Sequence, residues 1–122
     1  DTDADPSPFE GSYSALVWLG GSAWTLCYGE ADVDISADGT VNATSTCESW
    51  RGNRSVDFFG DINTTGDITG LSTVTPDDDA PYEPEDASGE FESDGCFWIY
   101  WSQPIDGGSW EYDTDAWLYN CD

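Results

Sequence analysis

The sequence contains no lysine, no histidine and no methionine, and its only two basic residues are arginines. Against these stand 26 aspartates and glutamates, which give a formal charge of −24. A chain with so few cations offers no basic patch for a phosphate backbone, so nucleic acid is not an expected partner. Apolar runs are short as well. None approaches the roughly 20 residues of a membrane-spanning helix, so we expect no membrane insertion.

The missing residue types also remove several kinds of catalysis. Without histidine there is no Ser-His-Asp triad or Cys-His pair, and without lysine there is no Schiff base. The sequence has no GxxxxGK[ST] loop for phosphate binding. Carboxylate pairs occur at every spacing among 26 acids, so they do not identify a glycosidase. We therefore expect a protein that is not an enzyme and requires no cofactor.

Four cysteines are present: Cys27, Cys47, Cys96 and Cys121. Their even number and wide spacing, without histidine or a C-x-x-C pair, favour two disulfides over a zinc site. Neighbours in sequence would give Cys27–Cys47 and Cys96–Cys121, although two other connectivities exist. Disulfides indicate an oxidising compartment, so we expect an extracellular or cell-surface protein. A start at Asp1 without methionine is typical of a mature form released by signal peptidase.

The distribution of residues along the chain predicts an all-β fold. Gly, Asp, Ser and Thr recur every few residues and mark turns, with short alternating apolar runs between them. One hairpin turns at Asp38-Gly39, where the dipeptide predicts a type I′ turn, and another turns near Thr65-Gly66. Further strands are predicted at 9–19, 23–28, 90–93, 96–102, 109–113 and 116–121. This gives nine to ten short strands in an antiparallel β-sandwich or a barrel-like roll.

The chain length is that of one domain. Residues 1–8, DTDADPSP, are an acidic leader that resembles the Asp-rich linkers of bacterial surface lipoproteins. Residues 9–122 are predicted to form a single all-β domain. Within it, residues 76–88, PDDDAPYEPEDAS, are predicted to be an acidic, proline-rich loop.

Aspartates alternate with other residues at several places, and carboxylate oxygens are the ligands that Ca²⁺ prefers. Candidate ligands lie in the first hairpin and in the acidic loop: Asp32, Asp34, Asp38, Asp77, Asp78 and Asp79. None of these runs matches the full EF-hand pattern. On a strand, an Asp-x-Asp pair also simply places two carboxylates on one solvent-exposed face. A bound Ca²⁺ and a solvated acidic surface are therefore both open.

Three of the four asparagines lie in N-x-[ST] sequons, namely Asn42-Ala-Thr, Asn53-Arg-Ser and Asn63-Thr-Thr. Such sequons predict N-glycosylation of a secreted protein. The alternative is that serine and threonine are simply frequent in β-rich chains. We predict a glycoprotein.

The segment FWIYW, residues 97–101, holds four aromatic rings directly after Cys96. If Cys96 bonds Cys121 across two antiparallel strands, the numbers of opposing residues sum to 217, as 96 and 121 do. One face of this pair would then carry Ile99 and Leu118 as core. The other face would carry an aromatic set of Trp98, Tyr100, Trp117 and Tyr119. That set is predicted to be a second inner face, a subunit interface or a sugar-stacking platform.

Two functions are consistent with these features. The first is a structural or adhesive β-domain, the subunit of an extracellular filament or matrix in which copies assemble by strand addition. Residues 9–19 are the candidate donor strand, because the run is long and apolar. The alternative is a carbohydrate-binding module that holds glycans on the Trp/Tyr platform. A filament subunit should contain a long apolar strand without a partner in its own domain, whereas a sugar binder should show two or more Trp or Tyr rings that are coplanar and exposed on a closed monomer.

Overall fold

The computed structural model describes residues 6–22, 24–49, 52–77, 80–106 and 111–121. They form eight strands: β1 (Gly11–Gly21), β2 (Trp24–Ile35), β3 (Thr40–Cys47), β4 (Arg54–Ile62), β5 (Asp67–Pro76), β6 (Glu85–Phe91), β7 (Phe97–Asp106) and β8 (Glu111–Tyr119). Each strand pairs antiparallel with the next, and β1 also pairs with β8, which closes the sheet into a barrel. The all-β prediction is confirmed, and of its two forms the molecule adopts the barrel. The described residues include no helix of the length and apolarity needed to cross a bilayer.

The strand count is eight because two pairs of predicted strands are continuous. Gly29, which follows the predicted strand 23–28, lies in the middle of β2, where an added Cβ would approach the Thr46 carbonyl oxygen to 1.9 Å. This glycine therefore permits close approach of β2 and β3 and does not mark a turn. In β8, Thr114 faces the buried interior between two exposed aspartates, so the strand continues through this acidic stretch.

Inward-facing side chains fill the barrel. The largest of the fully buried ones include Phe58, Phe97 and Trp101, with aliphatic residues such as Leu19, Ile99 and Leu118 around them. An eight-stranded barrel is just wide enough for side chains to fill it. The indole N–H of Trp101 donates to Gln103 Oε1 at 2.9 Å, and Thr114 Oγ1 donates to the Gln103 carbonyl oxygen at 2.9 Å. These bonds satisfy polar groups that would otherwise be costly to bury.

Three hairpins share one turn design. Residues 36–40, 63–67 and 92–96 each close with two backbone hydrogen bonds, and the fourth residue of each is a glycine. The φ angles of Gly39, Gly66 and Gly95 are 89°, 100° and 91°, a region that disfavours side chains. This is the three-residue loop with a type I turn and a left-handed glycine, so the predicted type I′ geometry at Asp38-Gly39 is wrong. The positions of the first two hairpins are confirmed.

These three turns lie at one end of the barrel, which we call the turn end; we call the opposite end the loop end. Both predicted disulfides are confirmed. Cys27–Cys47 joins β2 and β3 near the loop end, and Cys96–Cys121 joins the residues next to β7 and β8 at the turn end. Two disulfides in so small a domain are typical of an oxidising environment.

The segment before β1 packs against the turn end. The Ser7 amide donates to the Ala37 carbonyl oxygen at 2.8 Å, and the Phe9 ring lies 4.8 Å from the Phe91 ring. The Tyr13 hydroxyl donates to the Phe9 carbonyl oxygen at 2.6 Å. Residues 6–8 of the predicted leader therefore contact the barrel, while residues 1–5 lie outside the described part of the chain.

The run proposed as a donor strand is paired within its own chain. β1 is hydrogen-bonded to β2 along its whole length and to β8 over Leu16–Gly20. Over Leu16–Gly20 the strand therefore has no free row of N–H and C=O groups to offer a neighbour. The expectation that residues 9–19 lack a partner in their own domain is wrong, and strand addition to another copy stays a prediction.

The acidic loop is shorter than predicted. β5 continues to Pro76 and β6 begins at Glu85, so the last four residues of the predicted segment 76–88 belong to a strand. Ala87 faces the interior and is buried, whereas its neighbours Asp86 and Ser88 are exposed. This alternation is the strand signal, but the acidic composition of the segment concealed it.

The barrel tolerates its charge by the placement of carboxylates across strands. Asp57 lies opposite Thr44 and Thr73, and Asp34 lies opposite Ser12 and Asn42. Small hydroxyl and amide residues thus separate carboxylates on neighbouring strands, which reduces the self-repulsion of a highly charged chain. Between β5 and β6 the rule fails, since Asp67 stands directly opposite Glu90.

This opposed pair gives a testable prediction. Glu90→Gln should raise the free energy of unfolding by about 0.5 kcal/mol at low salt, because like charges directly opposite each other are destabilising. At roughly 1 M salt the gain should disappear, since the Debye length falls to about 3 Å. Glu30→Gln is the matched control, because Glu30 stands opposite Leu16. Urea unfolding at both salt concentrations measures the effect; an equal gain in both variants would contradict the prediction.

Candidate functional site

The predicted register of β7 and β8 is confirmed. Trp98 lies opposite Tyr119 and Tyr100 lies opposite Trp117, while Ile99 and Leu118 are fully buried in the barrel. The four-ring face consequently lies on the outer wall. Because the sheet is a closed barrel, this face is not a second inner face of a sandwich.

The aromatic surface extends onto β1 and β2, which sequence reasoning missed. Trp18 stands opposite Trp117 on one side and Tyr28 on the other, and Leu16 stands opposite Tyr119. One row of four rings therefore crosses four strands, and the adjacent row holds two rings and Leu16. We call this surface the aromatic wall; it consists of Leu16, Trp18, Tyr28, Trp98, Tyr100, Trp117 and Tyr119. A signal existed in the sequence, because Leu16 and Trp18 make the end of β1 apolar on both faces.

A concavity of about 450 Å³ lies within the aromatic wall. It is lined by Trp18, Trp98, Trp117, Tyr119 and the exposed Cys121. The Trp98 and Trp117 rings are 6.0 Å apart and tilted by 59°, and the Tyr100 and Trp117 rings are 4.7 Å apart and tilted by 51°. The rings thus form a concave surface rather than the flat platform that the sequence predicts. We call it the aromatic concavity.

The polar atoms of these rings differ in their partners. The Tyr100 hydroxyl donates to Asp115 Oδ1 at 2.7 Å, and this bond, together with partial burial, raises the pKa of Tyr100 above its usual value. The Trp18 indole N–H donates to Thr25 Oγ1 at 3.0 Å. No described residue hydrogen-bonds the indole N–H of Trp98 or Trp117. The rings that line the aromatic concavity thus include two indoles whose N–H groups have no hydrogen-bond partner among the described residues.

An acidic groove of about 820 Å³ borders the aromatic wall and shares Leu16 and Tyr28 with it. Its other lining residues are mostly carboxylates and hydroxyls, among them Glu30, Asp32, Thr44, Glu48, Ser55 and Asp57. Carboxylate oxygens accept hydrogen bonds from hydroxyl groups. A ligand that lies on the outer surface from β8 to β4 would thus contact the aromatic rings first and then the carboxylates that accept hydrogen bonds.

The predicted calcium ligands are not assembled into one cluster in the described part of the chain. Asp32 and Asp34 lie on the exposed face of β2, and Asp34 accepts a hydrogen bond from Ser12. The Asp38 carboxylate accepts hydrogen bonds from the Ser36 hydroxyl and the Thr40 amide, which lower the pKa of Asp38. Among the described residues no three acidic or cysteine side chains lie close enough to hold a metal ion.

The acidic loop is only partly described. Asp77 Oδ2 accepts a hydrogen bond from the Asn53 amide at 3.1 Å, and Asp78 and Asp79 lie outside the described residues. Calcium binding remains a prediction.

The three sequon asparagines occupy different positions. Asn42 is exposed on the outer face of β3, and Asn53 lies just before β4 at the loop end. Asn63 begins the β4–β5 turn, where its Oδ1 accepts hydrogen bonds from the Thr65 and Asp67 amides. Asn42 therefore lies on a strand, whereas Asn53 and Asn63 lie in segments that connect strands.

The fold and site together define a closed, eight-stranded, disulfide-linked β-barrel with an aromatic concavity on its outer wall. Comparison of the chain with protein-family models, with curated proteins and with solved structures finds no match. A function is therefore inferred from the geometry of the site.

Proposed function

We propose that this protein is an extracellular carbohydrate-binding domain, the alternative of the two functions that the sequence predicts. The observation that supports the proposal is the aromatic concavity, which is lined by three tryptophans and a tyrosine and includes two tryptophans whose indole N–H groups have no hydrogen-bond partner among the described residues. Sugars combine apolar C–H faces with hydroxyl groups. Such a ligand is matched by large apolar rings with a few polar groups that fix its orientation.

The charge of the protein defines the kind of sugar. The formal charge is −24, and carboxylates line the groove next to the aromatic wall. An anionic polysaccharide would be repelled from this surface, whereas the hydroxyls of a neutral one can donate to the carboxylates. The proposed ligand is therefore a neutral oligosaccharide or polysaccharide long enough to contact both the concavity and the groove.

The proposal can be tested by titration with soluble neutral polysaccharides, using a glucan, a mannan and a xylan, with polygalacturonate as the anionic comparison. Tryptophan fluorescence and calorimetry report binding. Trp117→Ala should weaken the affinity for the neutral ligand at least about tenfold, since buried tryptophans dominate binding energies and each 1.4 kcal/mol is a factor of ten. Phe59→Ala is the matched control, because its exposed ring lies on β4, outside the aromatic wall.

Two results would contradict the proposal. One is that Trp117→Ala leaves the affinity for every neutral polysaccharide unchanged. The other is sedimentation of the native protein as an oligomer that Trp117→Ala converts to a folded monomer. The second result would assign the aromatic wall to self-association and would support the structural or adhesive function.

A further inference from the structure

Phe59 and Leu71 form a second exposed apolar patch, separate from the aromatic wall. They stand directly opposite each other on β4 and β5, and their exposed fractions are 62% and 49%. Asp57 and Asp61 flank Phe59 on the same outer face. An exposed ring and an exposed leucine side by side, in a chain so rich in carboxylates, offer an apolar surface to a neighbouring group.

The nearest neighbour of this patch on the next strand is a sequon asparagine. Asn42 stands directly opposite Phe59, so the order across β3, β4 and β5 is Asn42, Phe59, Leu71. Neighbouring strands are about 4.8 Å apart, which places Phe59 one strand and Leu71 two strands from the Asn42 amide. A pyranose ring attached to Asn42 would extend over these side chains without any change in the backbone.

The surroundings of Asn42 differ from those of Asn63. No described residue hydrogen-bonds the Asn42 side chain, and Thr44, the third residue of the sequon, is exposed on the same face of β3. By contrast, Asn63 uses its side-chain oxygen for the turn, and its Nδ2 donates to Asp67 Oδ2 at 3.3 Å. Of these two amides, that of Asn42 is free to be modified.

We propose that Asn42 carries an N-linked glycan whose first sugar rings lie on Phe59 and Leu71. The Asn42 amide nitrogen would attack C1 of a sugar activated as a glycosyl phosphate ester, supplied with its transferase by the host cell. The C1–N bond forms, the C1–O bond to phosphate breaks, the amide loses one proton, and the phosphate ester leaves as the anion. The apolar faces of the sugar then cover the ring of Phe59, and its hydroxyls donate to the flanking carboxylates Asp57 and Asp61.

The first measurement is peptide mass spectrometry of protein from its native source. The expected result is a glycan mass on the peptide that contains Asn42. Unmodified Asn42 would overturn the proposal.

The second measurement tests the packing of the glycan by a double-mutant cycle in a host that glycosylates sequons. Thr44→Ala removes the sequon and Thr44→Ser retains it. Loss of the glycan should lower Tm by about 3 °C in the parent chain, the shift expected for roughly 1 kcal/mol in a domain of this size. In a Phe59→Ala/Leu71→Ala background the same loss should change Tm by less than about 1 °C.

The controls distinguish the effect of the glycan on Tm from the effect of the substitutions themselves. The same variants made in a bacterial host without N-glycosylation give the intrinsic effect of each change at Thr44. Ser55→Ala, which removes the Asn53 sequon, should change Tm equally with and without Phe59. An equal loss of Tm on removal of the Asn42 glycan in both backgrounds would overturn the packing, since the glycan would then stabilise without contacting the patch.

Discussion

Replacing Cys27 and Cys47 with alanine is expected to lower the free energy of unfolding by more than about 3 kcal/mol. The disulfide joins residues 20 apart in sequence, and closure of a loop of this length stabilises by roughly 3 kcal/mol in the chain-entropy model. Both sulfurs also lie in the buried interior, where their removal leaves space that the barrel cannot fill completely. This is a large fraction of the 5–15 kcal/mol typical of a domain.

Cys96→Ser/Cys121→Ser is the matched comparison. Its residues are 25 apart, so the closure term is nearly the same, but Cys121 is exposed and Cys96 half-buried. Urea unfolding should therefore show a loss of about 3 kcal/mol for this pair and a larger loss for the buried pair. A loss below about 1 kcal/mol in either pair would show that the unfolded chain is already compact without the disulfide.

Trp101→Ala is expected to cost about 3–5 kcal/mol, the range for removing a buried aromatic side chain. Trp101 is 1% exposed, and its indole N–H is the hydrogen-bond donor to the side-chain oxygen of Gln103. The substitution both opens a cavity at the centre of the barrel and leaves the Gln103 amide oxygen buried without that donor, which adds to the cost.

Two further variants separate these causes. Trp101→Phe retains much of the ring volume but removes the donor, so it should lose about 1–3 kcal/mol. In protein made without N-linked glycans, Phe59→Ala removes an aromatic ring from the exposed outer wall and should change the free energy of unfolding little. If Trp101→Phe is as stable as the parent, the hydrogen bond to Gln103 contributes nothing and the whole effect of Trp101→Ala is packing.

Much of the fold could be predicted because its determinants are local. A glycine that adopts positive φ ends the turn of each short hairpin, and alternation of apolar residues marks the strands on both sides of the turn. The register of β7 and β8 could be predicted because the Cys96–Cys121 bond fixes which residues stand opposite each other, and one fixed pair determines all the others in an antiparallel ladder.

Closure of the barrel could not be predicted in the same way. The pairing of β1 with β8 joins residues about a hundred positions apart, and no turn or disulfide marks it in the sequence. The continuation of β2 through Gly29 could not be predicted either, because the sequence alone does not distinguish a glycine in a strand from a glycine in a turn. The difference lies in the Thr46 carbonyl oxygen of the neighbouring strand, which only the assembled sheet brings close.

The candidate site could likewise be predicted only where its residues are close in sequence. Trp98, Tyr100, Trp117 and Tyr119 were predicted together because they belong to one hairpin. Trp18 was missed because it reaches the aromatic concavity only across the β1–β8 pairing. The tilt between the Trp98 and Trp117 rings depends on side-chain packing, which strand periodicity does not contain.

The positions at which the chain enters and leaves the barrel determine how it would respond to mechanical load. Phe9 contacts the end of β6, and Cys121 is bonded to Cys96 beside the neighbouring turn, so both terminal segments lie at the turn end. Force applied through them would act at one end of the β1–β8 ladder and open its hydrogen bonds one after another instead of shearing them together. A barrel pulled in this way yields at low force. Mechanical opening of the barrel is therefore expected to begin at the β1–β8 pairing.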